Sequence, residues 1–160
     1  MSRILPQDAG GQNICAFLDM LAVSEGTSRI AGSDDGYMVI VGGGLFTGYA
    51  DHPRQLIALP NLHIKSTAAG RYQILEHMYD VYKMQLGLPD FSPISQDKIA
   101  IQLMRECHAL PMLQNGDINS AVTACASRWA SLPGNSYGQH QQTMEMLINA
   151  YESAGGTIGA

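Results

Sequence analysis

Apolar residues recur with the period of an α-helix near the start of the chain. The helical spacing i, i+3, i+4 and i+7 is occupied by Ile14, Phe17, Leu18 and Leu21. Asn13 stands before this pattern as a candidate N-cap, and Gly26 stands after it as the usual left-handed residue at a helix end. The pattern predicts a helix between these two residues, preceded by a loose polar leader over residues 1–12.

The period changes after a loop rich in Gly, Ser and Asp. Residues 37–41 are aromatic, β-branched or otherwise apolar, and three glycines at 42–44 separate them from the Leu-Phe-Thr sequence at 45–47. Two apolar runs joined by a glycine turn predict a small β-hairpin. Pro53 and Pro60 indicate that the following segment is irregular.

Helical periodicity returns after Ser66–Thr67. The first of these helices ends at Gly87, and its apolar stripe consists of Tyr72, Leu75, Met78, Tyr79, Tyr82 and Leu86. Ser92–Pro93 has the favoured order of a cap followed by a first helical residue. The helix that it opens is expected to break at Pro111.

Two more helices complete the pattern. Asp117 is the predicted cap of a helix whose apolar positions are Ile118, Ala121, Val122, Cys125 and Trp129. The last helix closes at the glycines 155–156, after apolar positions at Met144, Leu147, Ile148 and Tyr151. About five or six helices around one small hairpin predict an α+β fold, and the length predicts one domain over residues 1–160.

The composition is that of a globular chain, with 46% hydrophobic and 14% charged residues. Runs of apolar letters stop at four or five residues, far short of the roughly 20 that span a bilayer. The first residues also lack the apolar stretch of about 7–15 residues found in a signal peptide. We therefore expect a protein made in the cytoplasm without stable membrane insertion.

The net charge argues against a nucleic-acid-binding protein, and the cysteines argue against a disulfide or redox framework. Nine Lys and Arg against fourteen Asp and Glu give a net charge of −5, and a nucleic-acid partner would need a basic footprint. The three cysteines cannot all pair within the chain, and none stands in a CxxC motif; they are Cys15, Cys107 and Cys125. Each falls at an apolar helical position, which predicts buried free thiols.

Glu25 is a carboxylate in an apolar position. It lies eleven residues after Ile14 and four after Leu21, so it continues the apolar helix face just before Gly26. Burial and the negative end of the helix dipole both disfavour a charge there, which favours a protonated acid near neutral pH. Such a carboxyl can protonate the departing oxygen in glycosidic bond cleavage. The alternative is a frayed helix end with Glu25 in water.

The other candidate sites in the sequence indicate a reaction less clearly than Glu25 does. The five histidines show no HExxH spacing, so no metal site is expected. The sequence gives no signal for a cofactor either, and none is expected. Glycines 42–44 lack the Gly-Lys-Ser/Thr of a phosphate-binding loop. Ser66–Thr67 fits a helix cap better than a nucleophile, whereas Tyr72 and Gln73 lie near a predicted helix start, from which they would reach a cleft. The Tyr-Gly-Gln sequence at 137–139 fits either loop structure or ligand contact.

Several segments resemble the endolysins related to that of bacteriophage lambda. They run in order from about residue 15 to residue 157 and cover nearly the whole chain. They read AFLDMLA (16–22), SEGT (24–27), VIVGG (39–43), LFT (45–47), DHPR (51–54), KST (65–67), GRYQ (70–73), QLGL (85–88), ALPM (109–112), WASLPG (129–134) and YGQ (137–139).

The resemblance implies a lysozyme-like fold in which a cleft separates a helical lobe from a hairpin lobe. It also implies lytic transglycosylase activity on the glycan strands of peptidoglycan. In that family one glutamate, which matches Glu25, acts as an acid on the β-1,4 bond between N-acetylmuramic acid and N-acetylglucosamine. The same glutamate then acts as a base on the muramic C6 hydroxyl, which closes a 1,6-anhydro ring.

The resemblance also implies action in the periplasm after release through a holin-type pore. We expect a monomer, because the sequence carries no signal for an oligomer. The expected substrate contacts are Ser66, Thr67, Tyr72, Gln73, Tyr137 and Gln139. The chain departs from its relatives at Val23, where Trp is frequent, and in lacking acidic residues near Met38 and Gly44. Its acidic net charge implies a weaker attraction to the anionic cell wall.

Two other functions stay open at this point. The T-even phage lysozymes, which are hydrolysing muramidases, space Glu, then Asp after eight residues, then Thr after five more. Glu25 and Asp34 fit the first interval, but the third position is Ile40. A non-catalytic sugar-binding protein on the same fold would be marked by loss of the acid, whereas Glu25 is present in its motif.

Overall fold

The computed structural model describes residues 1–138 and 140–159. Its helices are α1 (Pro6–Ala9), α2 (Gln12–Ser24), α3 (Glu76–Leu86), α4 (Pro93–Glu106), α5 (Ala109–Gln114), α6 (Ile118–Cys125) and α7 (Met144–Ser153). Its strands are β1 (Val39–Ile40), β2 (Gly44–Leu45), β3 (Ile57–Leu59) and β4 (Ile64–Ser66), and short 3-10 helices cover Thr27–Arg29 and Pro60–Leu62. Helices combined with small antiparallel hairpins confirm the predicted α+β class.

Helix α2 is buried on more than the one face that its periodicity predicts. It packs against α1, α4, α5 and α7, and Ala16–Leu18 and Met20–Ala22 are fully excluded from solvent. Its N-cap is Gly11 rather than the predicted Asn13. Asn13 is instead engaged with the neighbouring helix α5, because its side-chain amide donates to the carbonyl of Leu113 at 2.8 Å.

The first residues are docked, so the prediction of a loose leader over residues 1–12 is wrong. The carboxylate of Asp97 on α4 accepts the backbone N–H groups of Arg3 and Ile4 at 2.7 and 2.8 Å. Ile4 is buried, and α1 follows directly. A buried carboxylate on a distant helix supplies partners for these N–H groups, and the polar composition of the segment does not reveal it.

The hairpin predicted over residues 37–47 is present in a shorter form, in which β1 pairs with β2 and Val39 lies opposite Leu45. A second hairpin, β3 with β4, occupies the segment that was expected to be irregular. Pro60 lies in the 3-10 helix that connects these two strands. Its missing N–H therefore removes no bond from the ladder, which is why the expectation was wrong.

Three helix ends that the sequence predicts are confirmed by the structure. Gly87 ends α3 in the left-handed conformation, with φ of +63°. Ser92–Pro93 opens α4 as its N-cap and first residue. Asp117 caps α6, since its carboxylate accepts the N–H of Ser120 at 3.1 Å.

Helix α3 begins at Glu76, ten residues after Ser66 and later than the Ser66–Thr67 signal suggested. Tyr72 therefore lies in the preceding turn and not on the helix. This turn is closed by reciprocal backbone hydrogen bonds of 3.0 and 2.8 Å between Ala69 and Ile74. Tyr72 keeps the helical spacing of the α3 residues by chance, although it lies in a turn and not in the helix.

The predicted break at Pro111 and the predicted place of Trp129 on a helix are also wrong. Helix α4 ends at Glu106, and Pro111 lies in the first turn of α5, where its missing N–H has no helical partner to lose. Trp129 lies beyond the end of α6, and its indole N–H donates to the carbonyl of Tyr72 at 3.1 Å. Across the described ranges, no helix has both the length and the apolar character needed to cross a membrane.

The three cysteines are free thiols, as predicted. Cys15 and Cys125 are buried, and Cys107 is half-buried. Burial raises the pKa of the Cys125 thiol, so this side chain stays neutral and packs as an apolar group.

Gly70 occupies a position in which no side chain fits. Its φ is +80°, and a Cβ there would overlap the amide of the buried Gln96 side chain. Gly48 has the same φ, but an added Cβ would meet nothing within 4 Å among the described residues. We expect Gly70→Ala to destabilise the fold by about 1–3 kcal/mol more than Gly48→Ala, because overpacking is added to a shared backbone cost. Equal free energies of unfolding in urea for the two variants would contradict this.

Candidate active site

Glu25 lies directly after the last residue of α2. Its N–H donates to the carbonyl of Leu21 at 2.8 Å, so the helix does not fray there, and Gly26 turns the chain away with φ of +73°. The side chain is half-buried. Burial raises the pKa of Glu25 to about 6. The sequence-based prediction of a carboxyl with a raised pKa agrees with this geometry, and the alternative of a frayed, solvated end does not.

The Glu25 carboxyl has one side-chain hydrogen-bond partner among the described residues. The hydroxyl of Ser131 donates to its Oε1 at 2.6 Å. Ser131 also lies 2.8 Å from the hydroxyl of Ser24, measured between the two Oγ atoms. The bond from Ser131 lowers the pKa of Glu25 and opposes the larger effect of burial.

The segment that carries Ser131 is anchored on both sides. Trp129 and Leu132 are buried. The backbone N–H of Gln142 donates to the carbonyl of Ser131 at 2.9 Å, and the side-chain amide of Gln142 donates to the carbonyl of Ser24 at 3.2 Å. These contacts fix the distance between the end of α2 and the Ser131 hydroxyl.

A buried arginine connects the turn at residues 70–73 to α2 and to the loop before β1. The Arg71 guanidinium is 2% exposed and forms ion pairs of 2.9 Å with Asp19 on α2 and with Asp35 in the loop before β1. The carbonyl of Arg71 accepts the hydroxyl of Thr27 at 2.7 Å. The turn that carries residues 70–73 is therefore fastened to the segment that follows Glu25.

A groove of about 310 Å³ is lined in part by residues 127–130, which precede Ser131 in the chain. Its lining includes Gln73, Met78, Trp129, Ala130 and Tyr137, and Ala130 directly precedes Ser131. Aromatic and apolar surfaces combined with a few polar groups are typical of ligand sites. The groove therefore borders the segment that leads to Ser131, and no pattern in the sequence indicates its extent.

Gln73 and Tyr137 are the predicted contact residues that the structure brings together in this groove. Tyr137 is 55% exposed, and its hydroxyl donates to the carbonyl of Ser127 at 2.8 Å. Tyr72 also borders the groove, but its side chain is only 1% exposed and its hydroxyl donates to Asp97 at 2.6 Å. The expectation that the Tyr72 side chain reaches into a cleft is therefore corrected, because this residue belongs to the core.

The hydroxyls of Ser66 and Thr67 lie elsewhere, in backbone hydrogen bonds. Ser66 accepts the N–H of Ala68, and Thr67 accepts the N–H of Glu76, both at 3.1 Å. Thr67 therefore caps the start of α3 from a distance, which agrees with the cap interpretation. Gln139 lies outside the described residues.

Asp34, which has the spacing of the T-even lysozymes, and two further aspartates that a hydrolase could use are engaged in ion pairs. These pairs are Asp34 with Arg3 at 2.7 Å, Asp35 with Arg71 at 2.9 Å and Asp51 with Arg54 at 2.6 Å. Among residues 1–138 and 140–159, no charged group contributes to the raised pKa of Glu25. In the same residues, no three His, Cys, Asp or Glu side chains cluster closely enough to hold a metal ion.

Comparisons with known proteins give the same assignment for sequence and fold. The sequence profile of the Endolysin family matches residues 15–158. The chain is 54% identical to the endolysin of Escherichia phage lambda over 89% of this chain and 91% of that protein. It is 48% identical to the endolysin of Escherichia phage P2 over 91% and 94% of the two chains.

The solved structure of bacteriophage lambda lysozyme complexed with a chitohexasaccharide superposes with a TM-score of 0.89 at 52% identity, covering 92% of this chain and 97% of that one. A second structure of lysozyme from bacteriophage lambda gives a TM-score of 0.85 at 51% identity and the same coverage. The predicted lysozyme-like fold is confirmed. The chain belongs to the endolysin family, the phage proteins that lyse the wall of the host cell.

Proposed function

We propose that this chain is a lytic transglycosylase, which cleaves the β-1,4 bond between N-acetylmuramic acid and N-acetylglucosamine in peptidoglycan and forms 1,6-anhydro-muramic ends. The observation that carries the proposal is the Glu25 carboxyl at the end of α2, whose pKa is raised to about 6 by burial, whereas Asp34, Asp35 and Asp51 are engaged in ion pairs. One carboxyl is sufficient when the nucleophile is held within the substrate itself.

Glu25 acts first as a general acid. Its proton passes to the glycosidic oxygen as the bond from this oxygen to C1 of the muramic residue breaks, and N-acetylglucosamine leaves with a free 4-hydroxyl. Glu25 is then a carboxylate. The hydrogen bond from Ser131, at 2.6 Å, stabilises the negative charge that has formed.

Glu25 acts next as a general base. It takes the proton of the C6 hydroxyl of the same muramic residue, and O6 bonds to C1 and closes the anhydro ring. The carboxyl regains the proton that it lost in the first step, and no water is consumed. A pKa near the working pH suits a group that serves as both acid and base.

A hydrolysing muramidase is the alternative reaction. A hydrolase needs a second carboxylate, or another group that orients water, at a defined distance from the acid. Asp34 has the matching spacing in the sequence, but it binds Arg3 at 2.7 Å and the hydroxyl of Tyr49 at 2.6 Å. Ile40, which stands where that class carries Thr, is buried in β1. These contacts favour attack by the C6 hydroxyl over attack by water.

The groove lined by Gln73, Trp129 and Tyr137 is our proposed place for a glycan strand. The lambda lysozyme that this chain resembles has been solved with a chitohexasaccharide, which supports a glycan as the ligand here. We place sugar residues along Gln73 and Tyr137, and Gln139 remains a proposed contact. Ser66 and Thr67 remain proposed contacts near the β4 end, in addition to their backbone hydrogen bonds.

We further propose that the chain acts as a monomer and needs no cofactor or metal. It would be made in the host cytoplasm and would reach its substrate in the periplasm through a holin-type pore. Membership of the endolysin family supports this route, because the wall that endolysins lyse lies outside the inner membrane.

Mass spectrometry of the fragments released from purified Gram-negative peptidoglycan tests the proposed reaction. We expect anhydro-muropeptides, each lighter by one water than the corresponding reducing-end fragment. Reducing-end fragments alone would identify a hydrolase instead. Binding without any released fragment would indicate a non-catalytic wall-binding protein.

The rate of cleavage should depend on pH through Glu25. We expect kcat/KM to fall about tenfold per pH unit above the pKa of about 6, because only the protonated carboxyl starts the reaction. The measurement is the initial rate of fragment release between pH 5 and pH 8 at constant ionic strength. A rate that stays constant up to pH 8 would contradict the role of Glu25 as the proton donor.

A further inference from the structure

Ser24 and Ser131 form a row of hydroxyls that ends on Glu25. The Ser131 Oγ lies 2.6 Å from the Glu25 Oε1 and 2.8 Å from the Ser24 Oγ. Ser24 is the last residue of α2 and is only 3% exposed. In the part of the chain that the structure describes, the Ser24 hydroxyl has no other hydrogen-bond partner.

The direction of this row follows from counting protons, since each hydroxyl carries one. When Ser131 donates to Glu25, it accepts from Ser24, and every proton in the row has an acceptor. When Oε1 of Glu25 donates instead, Ser131 must donate to Ser24, and the buried Ser24 proton then has no acceptor among the described residues. A buried donor without an acceptor is unfavourable. The first direction therefore holds in both protonation states of Glu25.

We propose that Ser24 and Ser131 are positioning residues, which form a one-way hydrogen-bond chain and confine the acidic proton of Glu25 to its Oε2. This inference rests on the proposed role of Glu25 as the acid. Oε1 is occupied as an acceptor of the Ser131 bond, so Oε2 gives the proton to the glycosidic oxygen. Oε2 then takes the proton from the C6 hydroxyl, so that one oxygen serves both transfers.

The chain of hydroxyls is built into the fold and does not depend on a ligand. Gln142 bridges its two members, because its backbone N–H binds the Ser131 carbonyl at 2.9 Å and its side-chain amide binds the Ser24 carbonyl at 3.2 Å. Helix α2 holds Ser24, and buried Trp129 and Leu132 hold Ser131. The geometry is therefore in place before substrate arrives.

Burial and the Ser131 bond set the pKa of Glu25 in opposite directions. The elements around Glu25 carry further titratable groups, namely Cys15 and Asp19 on α2, Arg29 in the 3-10 helix after it, Arg71 in the turn bound by Thr27, Glu145, Tyr151 and Glu152 on α7, and Arg128, Tyr137 and His140 in the segment around Ser131. None of these described groups contributes to the shift. Removal of a serine hydroxyl will therefore be visible in the titration of Glu25.

The test is an NMR titration of the Glu25 side-chain carboxyl carbon in the full chain. We expect Ser131→Ala to raise the pKa by about one unit, a tenfold change in proton affinity, because a charge-assisted bond to the carboxylate is lost. Ser24→Ala should raise it by less, since Ser131 keeps its bond but loses the donor behind it. Ser131→Thr, which keeps the hydroxyl, should titrate near the parent. Ser136→Ala is the matched control, because Ser136 is exposed in the same loop.

A second readout is the pH profile of kcat/KM, whose alkaline limb should move upward with the pKa in Ser131→Ala and stay in place in Ser136→Ala. An unchanged or lowered pKa in Ser131→Ala would overturn the proposal. If that variant fails to fold, an unchanged pKa in Ser24→Ala would overturn it equally. The titration requires no turnover, so it is independent of product identity: reducing-end products would refute transglycosylation while leaving the serine chain standing.

Discussion

We expect Glu25→Gln to lower the rate of peptidoglycan cleavage by about 10²–10⁴-fold, which is the contribution of a positioned general acid and base. Glutamine has nearly the same shape, and its side-chain oxygen still accepts the Ser131 bond, but it has no acidic proton to give and no carboxylate to take one back. The measurement is the initial rate of fragment release from purified Gram-negative peptidoglycan at a pH below 6.

Glu145→Gln is the matched control for that experiment. Glu145 is exposed in the first turn of α7, and we expect its replacement to leave the rate within about twofold. If Glu25→Gln retained more than about a tenth of the parental rate, Glu25 would not be the acid and base of the reaction.

The same substitution has a consequence for stability that needs no substrate. The folded pKa of Glu25 lies at about 6, above the ordinary value of 4.5, so its contribution to stability is fully present below pH 4.5 and is lost as pH rises through 6. The loss amounts to about 2 kcal/mol. Glu25→Gln is therefore expected to be at least as stable as the parent at pH 7, and a clear loss of stability there would identify Glu25 as an ordinary paired or solvated carboxylate.

We expect Arg71→Ala to destabilise the fold by about 3–5 kcal/mol, because it leaves the carboxylates of Asp19 and Asp35 without the buried cation that they share. The guanidinium also lies over the ring of Tyr37, 5.2 Å from its centroid. The measurement is urea unfolding followed by circular dichroism at pH 7.

Arg54→Ala provides the comparison, because Arg54 also binds several carboxylates but is exposed. Arg54 lies at the surface, where it pairs with Asp51, Glu76 and Asp80. Exposed pairs contribute about 0–1 kcal/mol, so we expect Arg54→Ala to remain close to the parent. Similar losses in the free energy of unfolding for the two variants would mean that burial does not determine how much these ion pairs stabilise the fold.

Local patterns in the sequence were sufficient to place Glu25. The spacing from Ile14 and Leu21 continues the buried face of α2, and Gly26 ends the helix one residue later, as the structure has it. Both features depend on residues within about three helical turns. The end of α3 at Gly87 and the cap of α6 at Asp117 are local in the same sense.

Long-range partners could not be predicted in this way. Ser131 lies 106 residues after Glu25, and no spacing rule connects the two, although both stand in segments that resemble endolysins. The docked leader depends on Asp97, more than 90 residues away. Tyr72 was misplaced because a turn closed by Ala69 and Ile74 interrupts a pattern that still has helical spacing.

Cleavage of peptidoglycan in water enriched in ¹⁸O tests the central claim most directly, because the claim is that the muramic C6 hydroxyl, and not water, attacks C1. Mass spectrometry of the released fragments then reports the nucleophile for every bond broken. We predict anhydro-muropeptides without incorporated ¹⁸O, released about 10²–10⁴-fold more slowly by Glu25→Gln. One ¹⁸O atom at each new reducing end would contradict the account and identify the chain as a hydrolase.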